Sequence, residues 1–546
     1  MTSANGRHRP AIQLQPEVGT ALLRGVTQIV AAVRPTLGPT PRLVAVARPG
    51  TRSPELLDNG ATIARRIIAL PDSEANAGAM LARAVIWQTH EAVADGTVTA
   101  AVIFEQALAA GLRHVAAGGD PWTLRRHLDR ISAGIVRELA AMATPVRGKA
   151  HLSQLAMTLC HDAELAPLLG EILDVVGADG QVEIHAAPGR RCDRDYAEGM
   201  HWPSGVVSPL FITEHIARRV ALTGCGILIT DFDLAGPAAV RTMLDQARAA
   251  NLAGLAIIAQ RLSDAAIGVL LTDPLPVFAV TAPGTGETGR MVAQQDLAVL
   301  TGGQVFSRAA GDTAARITPA SFGQARIAWA DRDRFGLIGG KGDPRLLRRH
   351  IAGLRASLRE SQTSAEREQQ RERLGRLLSG SATLTIGGAT ATEIQTRKEN
   401  AARAVTVLRG MLVDGVVPGG GAAFLSCRQS LTASLPGAAD EAERVALHLA
   451  IAALEAPTRV IAANAGHEPA SVLARLARAG PGCPAEAIGF DARTGQLVDL
   501  AAAGLLDSAA VAKTAVRVAL AAAAQALTIA AVVTPRSPAT ATTPLT

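Results

Sequence analysis

Apolar positions along the chain change their period twice. From Pro16 to about Met142 they recur at helical spacing, as in "GAMLARAVIWQTHEAVA" and "TAAVIFEQALAAGLRHVAAG", which predicts long helices with little sheet. From about Ile216 to Ile327 the runs "VALTGCGILIT", "LAGLAIIAQ" and "LPVFAVTAP" read as buried strands separated by helical segments such as "PAAVRTMLDQARAAN". That alternation predicts an α/β domain. Beyond it, "ATLTIGG" leads back into helices that continue nearly to the end. Two helical ends therefore bracket an α/β middle. They are expected to pack together as one discontinuous domain, with the middle inserted through hinges.

Between the α/β region and the second helical region lies the most basic stretch, "RLLRRHIAGLRASLRESQTSAEREQQRERLGRLL". Leu347, Ile351, Leu354 and Leu358 follow each other at four-three-four spacing and mark one face of a helix, so a solvated amphipathic hairpin is expected rather than an RNA-binding arm. Near the end, "VALAAAAQALTIAAVV" is short and broken by Gln525, which reads as a packed helix and not a membrane span. The tail "TPRSPATATTPLT" has a disordered composition.

Composition narrows the function classes. In 546 residues, 48% are hydrophobic and 19% charged, the balance of a multidomain globular protein. Aromatics are 3%, so base stacking is not expected as a main activity. The net charge of +6 is small for this length and argues against nucleic acid as the main partner. Cys160, Cys192, Cys225, Cys427 and Cys483 are scattered and without a C-x-x-C pair, which suggests a reducing compartment and no structural zinc. Cys160 beside His161 is expected to be a buried thiol next to a surface imidazole. The start, "MTSANGRHRPAIQLQ", lacks the apolar core of a signal peptide, and a cytoplasmic protein is expected.

Three stretches carry candidate chemistry. "VRPTLGPTPRLV" sets Thr36, Leu37, Gly38 and Pro39 in a tight loop after a helix. "VADGTVTAAVIF" sets Asp95, Gly96, Thr97 and Thr99 before an apolar helix, where a carboxylate, a glycine and hydroxyls suit a metal ion and phosphate oxygens; a plain helix cap is the alternative. "VDGVVPGGGAAF" places three glycines in a row, either a loop between helices or a close approach to a ligand. No G-x-x-x-x-G-K-[ST] loop occurs.

Together with "FDARTGQLVDLAAAGLLD", and with "AGLRHVAAGGDPWTLRR", "SPLFI" and "LAVLTGG" in order between them, these stretches resemble the group I chaperonin family of the GroEL type, over nearly the whole chain. The resemblance implies a multidomain α and α/β subunit: equatorial 1–141 and 414–533, intermediate 142–198 and 381–413, apical 199–380, and a tail at 534–546. It implies ATP and Mg2+ as cofactors, with K+ less secure, and self-assembly into seven-membered rings, single or double, that bind non-native polypeptides and accept a co-chaperonin. By the same match Thr36, Leu37, Gly38 and Pro39 border the phosphates and Asp95 holds the metal. Gly96, Thr97, Val98 and Thr99 wrap the phosphates, and Gly420 lies against the nucleotide. Asp491, Ala492 and Arg493 contact the base and Asp507 the ribose. Val98 replaces a threonine and Asp491 an asparagine.

The chain departs from the family where water is activated. With the glycine aligned on Gly60, Asn59 stands at one catalytic aspartate, and Arg403 stands at the second. Asn59 can orient water but not take its proton, and a guanidinium stays protonated. Nucleotide is therefore expected to bind and to turn over slowly or not at all, with Asp58 the one nearby substitute carboxylate. In the apical region Val206, Leu210, Phe211, Leu244, Ala247, Ala266, Leu270 and Leu271 match polypeptide-binding positions; the alternative for them is a place in the core. The functions to weigh are a chaperonin with weak or absent ATP hydrolysis, a non-hydrolysing structural or adaptor ring subunit, and an anion- or RNA-binding scaffold.

Overall fold

The structure is a computed structural model that describes residues 11–47, 54–187, 189–197, 200–214, 218–361, 363–378, 381–479 and 488–534. The chain forms two compact units, Met1–Gly170 with Asn400–Thr546, and Glu171–Glu399.

The first unit is a helical core. Helices Glu17–Val33, Asn76–Val93, Thr97–Ala116, Pro121–Met142, Glu441–Asn464 and Ala509–Ala526 bury Val, Ile, Leu and a large share of Ala against one another. A core so poor in aromatics fills its volume by bringing backbones close together. At Gly78 an added Cβ would press on the backbone of Leu22, and at Gly25 on the backbone of Ala75, so these two glycines set the close crossing of the first two helices. Glu441–Asn464 and Ala509–Ala526 are apolar enough to cross a membrane by composition, but each contributes ten buried residues to this unit.

The segment expected to be one last packed helix divides. The helix stops at Ala526, and Ala531–Thr534 is a strand paired antiparallel with Ala11–Leu14. The β-branched Val532 and Val533 suit that strand better than the alanine run before them. Cys483 and the tail after Thr534 lie outside the described residues.

The second unit holds the α/β region. Val277–Thr281, Leu255–Ala259 and Val220–Thr230 lie parallel in that order. Gly323–Ala330, Phe335–Gly340 and Met200–Trp202 continue the sheet antiparallel, and Val305–Phe306 pairs with Val220–Thr230. The Leu255–Ala259 strand is buried at every residue, as a central parallel strand covered on both faces should be. A separate sheet joins Gln181–Ala186, Ser381–Ile386 and Asp193–Ala197.

The basic stretch forms the expected hairpin of helices Pro344–Glu360 and Ser364–Leu377. Leu354, Leu374 and Leu377 are its buried seam, with Leu347, Ile351 and Leu358 packed beside them. A buried carboxylate anchors it: Asp296 accepts from Arg373 at 2.8 and 2.9 Å and stands 2.6 Å from His350 Nε2.

Candidate functional site

In the first unit the expected loop follows the Glu17–Val33 helix as a single 3-10 turn, Arg34–Thr36. The Thr36 hydroxyl donates to Val33 O at 2.8 Å, and Gly38 takes a φ of 110°. Asn464, at the end of a distant helix, donates to the carbonyls of Arg34 and Leu37, each at 2.8 Å. The loop is therefore pinned from across the unit, with Thr36, Leu37, Gly38 and Pro39 half-buried.

The second stretch forms a helix N-terminus. Ala94 (φ 58°) and Gly96 (φ 69°) are both left-handed around Asp95, and the helix starts at Thr97. Thr97 and Val98 are buried and Thr99 half-buried. No side chain caps this helix, so its first amides are left for a ligand or solvent. The plain-cap alternative for Asp95 thus finds no support in the hydrogen bonding.

Gly60 starts the Gly60–Arg66 helix, and a Cβ there would lie 2.5 Å from Val98 Cγ2 and 3.3 Å from Thr97 Oγ1. The two helix N-termini thus meet. Asn59 is the cap of the shorter one, its Oδ1 accepting from Ala61 N at 2.9 Å and Thr62 N at 3.3 Å. Asp58 beside it is exposed.

The glycine triplet sorts into three roles. Gly419 donates to Leu505 O at 2.9 Å, and a Cβ would lie 2.7 Å from that oxygen. At Gly421 a Cβ would run into the Thr458 hydroxyl. At Gly420 the nearest protein atom to an added Cβ is Phe490 O at 3.6 Å, so of the three only this glycine has room for a Cβ. The Val416–Pro418 strand pairs with Leu506–Ser508, which sets Asp507 opposite Val417. Asp507 is exposed. Protein packed around its carboxyl, followed by the charge of Asp95, pushes it up to about 6 against an opposing hydrogen bond from Gly420.

The other expected contacts divide. Asp491 accepts from Arg493 N at 2.9 Å and from the Thr494 hydroxyl at 2.8 Å, so it closes its own turn. Ala492 is buried with Ala462, Val472 and Phe490, which leaves its backbone as the group a base could meet. Arg493 is exposed.

Arg403 is half-buried and donates to Asn400 Oδ1 at 3.2 Å. It lies within electrostatic reach of His90, Cys160 and His161. Burial lowers the His90 imidazole, Arg65 and Arg403 add to that, and Glu91 and Asp95 oppose it. His161 is lowered by burial and then by Arg493 and Arg403. Burial raises the thiol of Cys160, the expected buried thiol, beside the exposed His161. His90, Arg65 and Asn464 were missed in the sequence because none sits in a recognisable motif.

In the second unit most of the expected polypeptide-binding residues are core. Phe211, Leu244, Ala247, Ala266 and Leu270 are each at most 2% exposed, packed around the seven-stranded sheet. Val206 is half-buried. Leu210, 69% exposed, and Leu271, 42% exposed, remain on the surface. The core alternative therefore describes five of the eight.

Residues 290–537 match the profile of the TCP-1/cpn60 chaperonin family. Among solved structures, the chain is similar to the chaperonin gp146 from the bacteriophage EL 2 (Pseudomonas aeruginosa), crystallised in the presence of ATP-BeFx. The match has a TM-score of 0.66 at 19% identity and covers 96% of this chain and 99% of that one. At that identity the likeness speaks for the fold, which is GroEL-like.

Proposed function

We propose that the chain is a chaperonin-family subunit binding ATP with Mg2+ in the first unit and non-native polypeptide in the second, with hydrolysis weak or absent. The observation that carries the nucleotide reading is the room at Gly420. Of three consecutive glycines it alone would take a Cβ without a clash, in the unit where the uncapped Thr97 helix start and Asp507 also lie. A magnesium nucleotide suits these groups: amides and hydroxyls for phosphate, carboxylates for the cation.

Bound there, Mg2+ would be held by Asp95 and would neutralise phosphate charge. Thr97 and Thr99 would hold the phosphates, Thr36 to Pro39 would border them, and Gly420 would admit the sugar or base. Neither Asn59 nor Arg403 can accept a proton from water at neutral pH. Asn59 is moreover committed to its helix cap. Arg403 would pair with the terminal phosphate and favour a held, ATP-bound state.

The tripartite division into equatorial, intermediate and apical domains, the seven-membered ring and the docking of a co-chaperonin belong to the same reading. With five apolar positions buried, Leu210 and Leu271 are the exposed anchors for client segments. The two substituted positions also favour a second reading, a non-hydrolysing ring subunit whose nucleotide stabilises assembly. Calorimetric titration with a magnesium nucleotide tests the binding. Micromolar affinity abolished by Asp95→Ala supports it, and heatless titration of folded protein contradicts it. Mass photometry of the same samples with and without nucleotide separates the two readings.

A further inference from the structure

We propose that the outer face of the Pro344–Glu360 helix is a docking ridge for the phosphate backbone of a nucleic acid duplex. The first ground is where the charge sits. The hairpin spanning 344–377 holds nine arginines and four glutamates, so it carries five of the chain's six net positive charges, and the other 512 residues are almost neutral. Charge that served solubility alone would be spread over the surface.

The second ground is its arrangement. At 100° per residue, Arg345, Arg348, Arg349, Arg355 and Arg359 fall within one arc of about 120°. The leucine seam occupies the other side and is packed against the partner helix. Arg345, Arg348, Arg349 and Arg359 are exposed and make no ion pair among the described residues, while Arg355 is held by Asp179 at 2.8 Å. Ala352 and Ala356 lie in the middle of the arc, where their small side chains let a backbone approach between the guanidinium groups.

The third ground is rigidity. Asp296 binds both His350 and Arg373, so each helix of the hairpin is fixed to the Gly286–Thr301 helix beneath. The arginines run along roughly 21 Å of one straight helix at 1.5 Å per residue, a length over which a duplex strand presents about six phosphates at 3.4 Å each.

An acidic protein surface is the competing partner for arginines. It would need an apolar centre, and the helix exposes a single large apolar residue, Leu346, off the arc. With no aromatic residue on the helix, the ridge would read backbone and not bases.

The test is fluorescence anisotropy of a labelled 24-base-pair duplex DNA with the full chain across 50 to 200 mM salt. Four phosphate contacts predict a log–log slope of about −3.6. The quadruple variant R345A/R348A/R349A/R359A should bind at least tenfold more weakly with a slope near zero, while its melting temperature and nucleotide binding stay at the wild-type values. Three results would overturn the proposal: no binding at 50 mM salt, a folded quadruple variant that binds with the wild-type slope, or a poly-glutamate peptide that binds more tightly than the duplex. The wild-type salt slope tests it even if the variant fails to fold.

Discussion

The side chain of Asn59 caps the Gly60–Arg66 helix by accepting from the Ala61 amide at 2.9 Å. Asparagine and aspartate cap helices about equally well, whereas alanine costs about 1 kcal/mol. Asn59→Asp should therefore leave thermal stability within about 0.5 kcal/mol of wild type, and Asn59→Ala should lower it by about 1 kcal/mol, read by thermal melts. A kinetic effect of Asn59→Asp can then be assigned to chemistry and not to folding.

Gly420 and Gly421 are adjacent, and both have positive φ, but their substitutions should fail differently. Gly420→Ala meets only Phe490 O at 3.6 Å, so it should cost about 1 kcal/mol of backbone strain and mainly weaken nucleotide binding. Gly421→Ala drives its methyl into Thr458 and should cost more than 2 kcal/mol whether or not nucleotide is present. Paired melts and calorimetric titrations separate the two.

Glu183 reports acid stability in the second unit. The His201 imidazole, its Nε2 3.5 Å from the carboxylate, and then the hydrogen bond with His185 lower its carboxyl to about 2. A carboxyl depressed from 4.5 stabilises the fold above 4.5 and loses that contribution as the pH falls from there towards 2. Glu183→Gln should therefore lower stability at pH 7 and flatten the acid limb of an unfolding curve followed by circular dichroism. An unchanged acid limb would show that this carboxylate is not held as described.

Asp296 is the buried centre of the hairpin's anchorage, 4% exposed and shared by His350 and Arg373. Removing one partner of a buried ionic cluster strands the others, at a typical cost of 3–5 kcal/mol. Asp296→Ala should lose about that much in denaturant unfolding and speed amide exchange first in the helices Pro344–Glu360 and Ser364–Leu377.

Local periodicity made much of the architecture legible. The helix–α/β–helix order and the leucine face of the basic hairpin follow from patterns within a few turns of chain. The triplet left a loop and a close approach both standing, and only the three-dimensional neighbours of Gly419 and Gly421 show that Gly420 alone of the three has room for a Cβ. Leu244 and Leu270 show the limit on the other side. An apolar residue at helical spacing looks the same whether it lines a groove or fills a core, and the covering sheet decides. Asn464 was invisible for a related reason, since it bonds a loop 427 residues away. The strand at Ala531–Thr534 likewise needs its partner at Ala11–Leu14 to exist.

The most direct measurement is single-turnover ATP cleavage by the purified chain with magnesium and potassium, with nucleotide binding read on the same sample. The account predicts bound ATP that remains uncleaved over many minutes, and cleavage restored by Asn59→Asp together with Arg403→Asp. Prompt cleavage by the wild-type chain, lost on Asp58→Asn, would contradict it and make Asp58 the working carboxylate.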